Sequence, residues 1–538
     1  MMNKNLLNLR FLTIALIIIS LVILILIKIF SIYFSDSIFL QEEGKKRYLK
    51  YKDISSVRGT IYDRNNFPLA VSIVNYDLYA LRGFDKSNLL KLSEVINISY
   101  QDVDDSFQKK TLLKKSLSAE ELMIIKQMNL KNYEIESRQS RHYPLGDQIS
   151  PLIGFYGTDG AQEGIEKSYD RILSGTNGKQ KYYMNPHKEV ISKPIVVKKV
   201  TQGQDIHLTI DSTIQFFAYK YLTEAIKLNK AQAGTAIVLD NASGHVLAMA
   251  SYPSYNPNDP KRKIQKNRAL VGSYELGSVL KPIVLSKALD DKILLIDEEI
   301  QTPRRFAVDD KIIVDKENFN KLTAKEVIVY SSQVGATKIA LALGYEDLKN
   351  NYYNFGFTKP ISINFPSASF GYMDVKENIS DKELASLGYG YGISISPFQI
   401  ATAYSVFANK GIKKDFKILK NDIEYSKQII SSESASQIMD TLNLVVQDGT
   451  GKLANIKGFS EGGKTGTAHQ IKKGKGYLDD SYIASFAGIA PLTDQSLTIY
   501  VLIDGPGLNS YSGGSVAAPV FAKIAENSLN YLGYFEDE

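Results

Sequence analysis

Ser278-Val279-Leu280-Lys281 sets a serine hydroxyl three residues ahead of a lysine amine, directly after Gly277 and at the head of an apolar run. On a helix, positions i and i+3 share a face, so the two groups can meet there. A serine hydroxyl is a poor nucleophile until a base takes its proton, and a lysine is a base only when neutral. Burial and a neighbouring cation both push a lysine towards that state. The pattern is that of a possible nucleophile with its own base. Spacing alone does not select it, because Ser106 and Lys109 satisfy it too, in a polar stretch.

Two further groups of hydroxyls and amines lie downstream. Tyr330-Ser331-Ser332-Gln333-Val334-Gly335 stands at an expected helix boundary, and Glu461-Gly462-Gly463-Lys464-Thr465-Gly466-Thr467-Ala468 opens an expected strand. Lys464 is a candidate for the cation that lowers the proton affinity of Lys281. No Gly-x-Gly-x-x-Gly loop and no set of metal-ligand spacings competes, and His142 has no ligand partners near it in sequence, so no metal and no cofactor is expected. The chain contains no cysteine, which excludes disulfides, thiolate metal sites and a cysteine nucleophile.

The elements that must position these groups follow a regular grammar. Ile206–Ile210 reads as a strand, Ser212–Leu228 as an amphipathic helix capped by Asp211 or Ser212, and Gly234–Asp240 with His245–Ala250 as a hairpin around a four-residue turn. Upstream, Arg58 to Ser72 has the pattern of a hairpin, Leu89–Ile96 and Ala119–Met128 are helical, and the glycine-rich segment Gly154 to Gly164 marks a joint. With 538 residues, two or three globular units are expected. A net charge of +6 spread among nearly as many acids as bases carries no nucleic-acid footprint. Phe11 to Ile27 is uncharged and apolar, and Ile29 to Phe34 prolongs it past Lys28, so residues 10–34 are expected to span a membrane after a tail of residues 1–9. Lys4 and Arg10 favour a cytoplasmic N-terminus, and Ser35-Asp36-Ser37 is the one segment resembling a signal cleavage site.

Ser-x-x-Lys, a Ser-x-Asn-like triplet and Lys-Thr-Gly in this order are the active-site set of penicillin-binding proteins and serine β-lactamases. The chain resembles the class B penicillin-binding proteins over nearly everything after the anchor. The resemblance rests on Arg58-Gly59 to Leu69-Ala70, Tyr143-Pro144, Gly164-Ile165-Glu166, Gly388-Tyr389-Gly390 to Pro397-Phe398-Gln399, Asp448-Gly449-Thr450-Gly451 and Gly513-Gly514 to Phe521. Length, the single anchor and the Ser331–Gly335 context are most similar to the division-specific FtsI type. The resemblance implies a multidomain α+β chain. An elongated α/β pedestal, of the dimerisation type, would occupy 35–205. A transpeptidase domain would occupy 206–538, with a mainly antiparallel sheet flanked by helices and the active site at the sheet edge.

It further implies that Ser278 attacks the penultimate D-alanine carbonyl of a peptidoglycan stem peptide, and that Ser331 relays a proton to the leaving amine. Lys464, Thr465, Gly466 and Thr467 would hold the substrate carboxylate, with an oxyanion hole at the N–H groups of Ser278 and Thr467. Gln333 departs from the family pattern, which has Asn there, or Asp in some relatives. Its extra methylene shifts the amide by more than about one ångström, a displacement active-site geometry tolerates poorly. Implied partners are β-lactam antibiotics, the inner membrane, a membrane-embedded glycosyltransferase and other division proteins, with the bulk of the chain in the periplasm. A β-lactamase, a D,D-carboxypeptidase, and a penicillin-recognising sensor or division scaffold blunted at Gln333 are the alternatives on the same scaffold.

Overall fold

The computed structural model describes residues 4–34, 37–81, 84, 89–97, 110–128, 130–186, 190–259, 261–422, 425–472, 476–507 and 510–534. Ser106, Lys109 and the Ser35-Asp36 part of the cleavage-like segment lie outside them. Two compact units emerge, residues 1–58 with 174–203, and residues 59–173 with 204–538.

The first unit begins with the helix Lys4–Phe34. Its apolar part, Leu7–Phe34, has 28 residues and none of its most apolar window is buried in protein. At about 1.5 Å per residue it exceeds the roughly 30 Å of a bilayer's hydrocarbon core. A second helix, Ser37–Tyr48, leads into a three-stranded antiparallel sheet in which Gly178–Tyr183 lies between Leu49–Ile54 and Ile195–Lys198.

In the second unit the central feature is a five-stranded sheet in the order His245–Tyr252, Ala233–Asp240, Leu497–Asp504, Gly476–Ala490, Gly462–Lys472, with every neighbouring pair antiparallel. Successive side chains of a strand point to opposite faces, and here both faces are covered. Ile237 and Leu239 enter one core with Ile283 and Val284 of the helix Lys281–Asp290 and Tyr404 of the helix Pro397–Ala408. Ala236 and Val238 enter another with Ala218 and Leu222 of Ser212–Leu228 and Phe521 and Ile524 of Ala518–Leu532. This double burial explains why Ala233–Asp240 and Leu497–Asp504 are almost uniformly buried and largely apolar rather than alternating. Gly462–Lys472 has a neighbour on one side only, so the Lys464 segment forms an edge of the sheet.

Local chemistry explains several boundaries. Asp211 caps Ser212–Leu228 by accepting the N–H groups of Thr213 and Ile214. The hairpin closes around residues 241–244 with Asp240 opposite His245. The expected strand Ile206–Ile210 is shorter than its apolar pattern suggests. Ile206–His207 pairs parallel to Ile61–Tyr62 and Leu208 makes an isolated bridge to Leu419, while the Thr209 and Asp211 N–H groups turn to Ile418 and Leu247 carbonyls. A separate small core, including Leu78, Leu92 and Ile125, packs the helices Leu89–Ile96 and Ala119–Gln127 against the antiparallel pair Pro68–Ala80 and Tyr133–His142.

Candidate active site

Ser278 sits in a 3₁₀ turn, Gly277–Leu280, which passes directly into the α-helix Lys281–Asp290. In a 3₁₀ turn residues i and i+3 eclipse, which keeps Ser278 and Lys281 on one side. Ser278 is half-buried and Lys281 is buried. The expected direct contact between them is not the one that forms. Lys281 Nζ donates to the main-chain carbonyls of Ser331 at 2.6 Å and Ser332 at 3.0 Å, and lies 3.3 Å from Ser331 Oγ. Two carbonyls use both N–H bonds of a neutral amine, so its lone pair is left to point elsewhere and accept a proton.

Lys464, fully buried, approaches the same serine from the sheet edge, with Nζ 3.0 Å from Ser331 Oγ. Its remaining contacts are the Thr465 carbonyl at 3.2 Å and Thr465 Oγ1 at 3.3 Å. Burial pulls the Lys281 amine down to about 7, opposed by the Asp315 carboxylate and assisted by the Lys316 cation. Burial likewise drives Lys464 well below an ordinary lysine, followed by the charges of Lys281 and Lys316. At Lys281 the lowering comes from desolvation and then Lys316 rather than from the foreseen Lys464; the repulsion between the two amines registers at Lys464, after desolvation. Two buried amines on one hydroxyl favour a shared proton over two charges.

Ser331 itself is held in an unusual backbone state, with φ of 60°. It follows the helix Ala324–Val329, whose end is closed by the Ser331 N–H on the Ile328 carbonyl at 3.2 Å and the Ser332 N–H on the Val327 carbonyl at 3.0 Å. That is the Schellman pattern, in which glycine normally takes the left-handed position. Ser332 then caps the helix Gln333–Leu343. Gln333, the first residue of that helix, is exposed, and its side-chain amide makes no hydrogen bond among the described residues. It lines a cavity of about 670 Å³ with Lys311, Tyr389, Tyr391, His469 and Tyr477.

The Lys464 strand meets the Ser278 turn through glycine. A Cβ on Gly466 would lie 2.4 Å from Ser485 Oγ, 2.7 Å from the Leu276 carbonyl and 2.9 Å from Val279 Cγ1. Gly277, at φ +61°, backs onto the Thr467 carbonyl, where a Cβ would come within 3.1 Å. Thr465 Oγ1 hydrogen-bonds Thr450 Oγ1 at 2.8 Å, and Thr467 Oγ1 accepts the Gly513 N–H at 3.1 Å. The structure therefore gathers Ser278, Lys281, Ser331, Lys464, Thr465, Gly466 and Thr467 around one point, with Gln333 at the rim. Gly466→Ala is expected to separate strand and turn, slowing acylation of the site by about tenfold and costing about 1–3 kcal/mol of stability. Rates of labelling by a fluorescent penicillin and thermal unfolding check both.

Sequence reasoning missed Asp315, a carboxylate only 3% exposed that hydrogen-bonds Ser332 Oγ and the Gln333 N–H. Its segment, Val314-Asp315-Lys316-Glu317, has the composition of a solvated loop, and no local pattern marks one carboxylate as buried.

The penicillin binding protein transpeptidase domain family matches residues 234–526, and the penicillin-binding protein dimerisation domain family matches residues 53–208. The chain is 32% identical over 545 residues to the peptidoglycan D,D-transpeptidase FtsI of Buchnera aphidicola from Schizaphis graminum, covering 98% of this chain and 95% of that one. The transpeptidase domain of Burkholderia pseudomallei penicillin-binding protein 3 is 34% identical, with a TM-score of 0.57 over 62% of this chain and 98% of that one. Penicillin binding protein 3 of Mycobacterium tuberculosis, solved in complex with aztreonam, shares the fold, with a TM-score of 0.70 and 24% identity over 90% of this chain and 98% of that one. These relatives do not favour the β-lactamase, carboxypeptidase or sensor alternatives. From the anchor-like helix through the edge strand that carries Lys464, the chain belongs to the class B penicillin-binding proteins, as a serine-type peptidoglycan D,D-transpeptidase of the FtsI type.

Proposed function

We propose that this transpeptidase works through Ser278 as its nucleophile, with Lys281 as the base. The observation that carries the reading is the fixing of a buried, low-affinity Lys281 amine by two main-chain carbonyls, one turn from Ser278 and beside Ser331. Neutral Lys281 takes the Ser278 proton as Oγ adds to the penultimate D-alanine carbonyl of a stem peptide. The N–H groups of Ser278 and Thr467 receive the oxyanion, an arrangement whose donors are typically worth about 10²- to 10³-fold each. Collapse breaks the C–N bond, and the proton passes through the Ser331 hydroxyl, which touches both amines, to the departing D-alanine amine. The amine of a second stem peptide then attacks the ester, forming the cross-link and returning a proton to Ser278. Lys464, Thr465, Gly466 and Thr467 bind the substrate's terminal carboxylate, and Gln333 contacts the peptide from the rim.

Penicillin-binding family membership makes peptidoglycan and β-lactams the ligands of this domain. The pedestal runs over 35–205 and the transpeptidase domain over 206–538. The chain crosses the inner membrane once at 10–34, with Lys4 and Arg10 on the cytoplasmic side. Its duty is septal, a reading that the FtsI-type relatives support, and a membrane-embedded glycosyltransferase and other division proteins work alongside it.

Labelled penicillin is expected to acylate the full-length protein in detergent and to leave a Ser278→Ala protein unlabelled. Intact labelling of that variant would remove Ser278 as the nucleophile.

A further inference from the structure

Asp315 follows the strand Lys311–Val314, and its buried carboxylate faces the start of the helix Gln333–Leu343. Oδ2 accepts the Ser332 Oγ–H at 2.5 Å, and Oδ1 accepts the main-chain N–H groups of Gln333 at 2.5 Å and Val334 at 3.2 Å. Ser332 Oγ in turn accepts the Gly335 N–H at 2.8 Å. Three of the N–H groups that a helix leaves unpaired at its start thus end on Asp315 and Ser332, and the carboxylate lies where the helix dipole favours negative charge. Immediately ahead of these donors is the left-handed Ser331, and the carbonyls of Ser331 and Ser332 are the two that hold Lys281 Nζ. The Gln333 side chain adds no hydrogen bond to the assembly.

We propose that Asp315 is a positioning residue for acylation. It clamps the Ser331-Ser332 turn from below so that main-chain carbonyls place the Lys281 amine, whatever side chain stands at 333. The inference rests on the assignment of Ser278 and Lys281 above and explains how the chain tolerates glutamine in place of the family's asparagine. A long side chain at 333 is free to face the cavity because the lysine is held without it.

The clamp carries an electrostatic signature that a merely structural residue lacks. The charged groups bearing on Lys281 are Asp315 and Lys316 from one loop and, across the Ser331 hydroxyl, Lys464 from the edge strand. Asp315 favours the protonated amine and Lys316 opposes it. Neutralising Asp315 therefore lowers the proton affinity of Lys281, and the acid limb of the acylation profile moves to lower pH even as the plateau rate falls.

The test measures second-order acylation of the full-length protein in detergent by a fluorescent penicillin across pH, for wild type, Asp315→Asn, Ser332→Ala and Gln333→Ala. Asp315→Asn is expected to lower the plateau about tenfold and to move the acid limb down by about half a pH unit or more. Ser332→Ala keeps every charge, so it is expected to lower the plateau with the limb in place. Gln333→Ala is expected to leave the limb in place. An Asp315→Asn protein with wild-type plateau and limb overturns the inference. If that variant does not fold, a wild-type plateau for Ser332→Ala overturns it instead. A wild-type protein that penicillin does not acylate overturns the serine-ester mechanism itself, and the inference with it.

Discussion

Lys281→Ala is expected to lower the rate of acylation by labelled penicillin about 10²- to 10⁴-fold, the range a positioned general base supplies, while the protein stays folded. The side chain removed is buried, and its amine bridges two carbonyls to the Ser331 hydroxyl. With the amine held down to about 7 by burial, its neutral fraction climbs through neutrality, so wild-type acylation is expected to rise from about pH 6 to about pH 8 and then level off. Lys281→Ala removes that limb along with the rate. A variant that acylates as fast as wild type would exclude Lys281 as the base, and a flat wild-type profile would exclude its titration as the limiting event.

The same depression has a stability sign. In the unfolded chain the amine titrates near 10.4, so between about pH 7 and about pH 10 the unfolded state binds more protons than the folded one. The stabilisation from this group is therefore lost below about pH 7 and recovered as pH rises towards 10. Unfolding temperatures of wild type are expected to gain on those of Lys281→Ala across that window.

How much of this was legible in the sequence depends on the range of the interaction. Asp211 as a helix cap, the turn at residues 241–244 and the helix after Ser278 follow from contacts within a few residues, and their patterns are local. The edge position of the Lys464 strand was legible only through resemblance, since strand order is set by partners as distant as Ala487, which pairs with Lys464. The partner of Lys281 was not legible at all. Its amine turns to main-chain carbonyls 50 and 51 residues away, and backbone groups carry no signature in sequence. Ser331 defeats local reasoning for a different reason. The turn it occupies asks for glycine, and a serine there breaks the usual rule at the position where its hydroxyl meets two lysines. Such conflicts between local preference and observed state cluster where chemistry is placed.

Ser331→Gly should expose that conflict as a trade of activity for stability. Ser331 holds φ at 60°, a left-handed state that costs an ordinary residue roughly 1–2 kcal/mol and glycine almost nothing. Glycine brings its own entropic penalty in the unfolded chain, which leaves a net gain of about 1 kcal/mol. Ser331→Ala keeps the strain. Both variants lose the same hydroxyl and so leave Lys281 and Lys464 without the group that joins them, and in both acylation is expected to fall about 10²-fold or more. Because the chemical loss is common, the difference between the two in unfolding temperature isolates the backbone term, and the glycine variant is expected to melt about one to two degrees higher than the alanine variant, the shift that such a difference gives in a domain of this size. Equal melting temperatures would mean that residue 331 is not strained in the folded protein. Acylation of Ser331→Gly at the wild-type rate would mean that proton transfer between the amines and the leaving group bypasses this hydroxyl, and that Ser331 contributes its carbonyl alone.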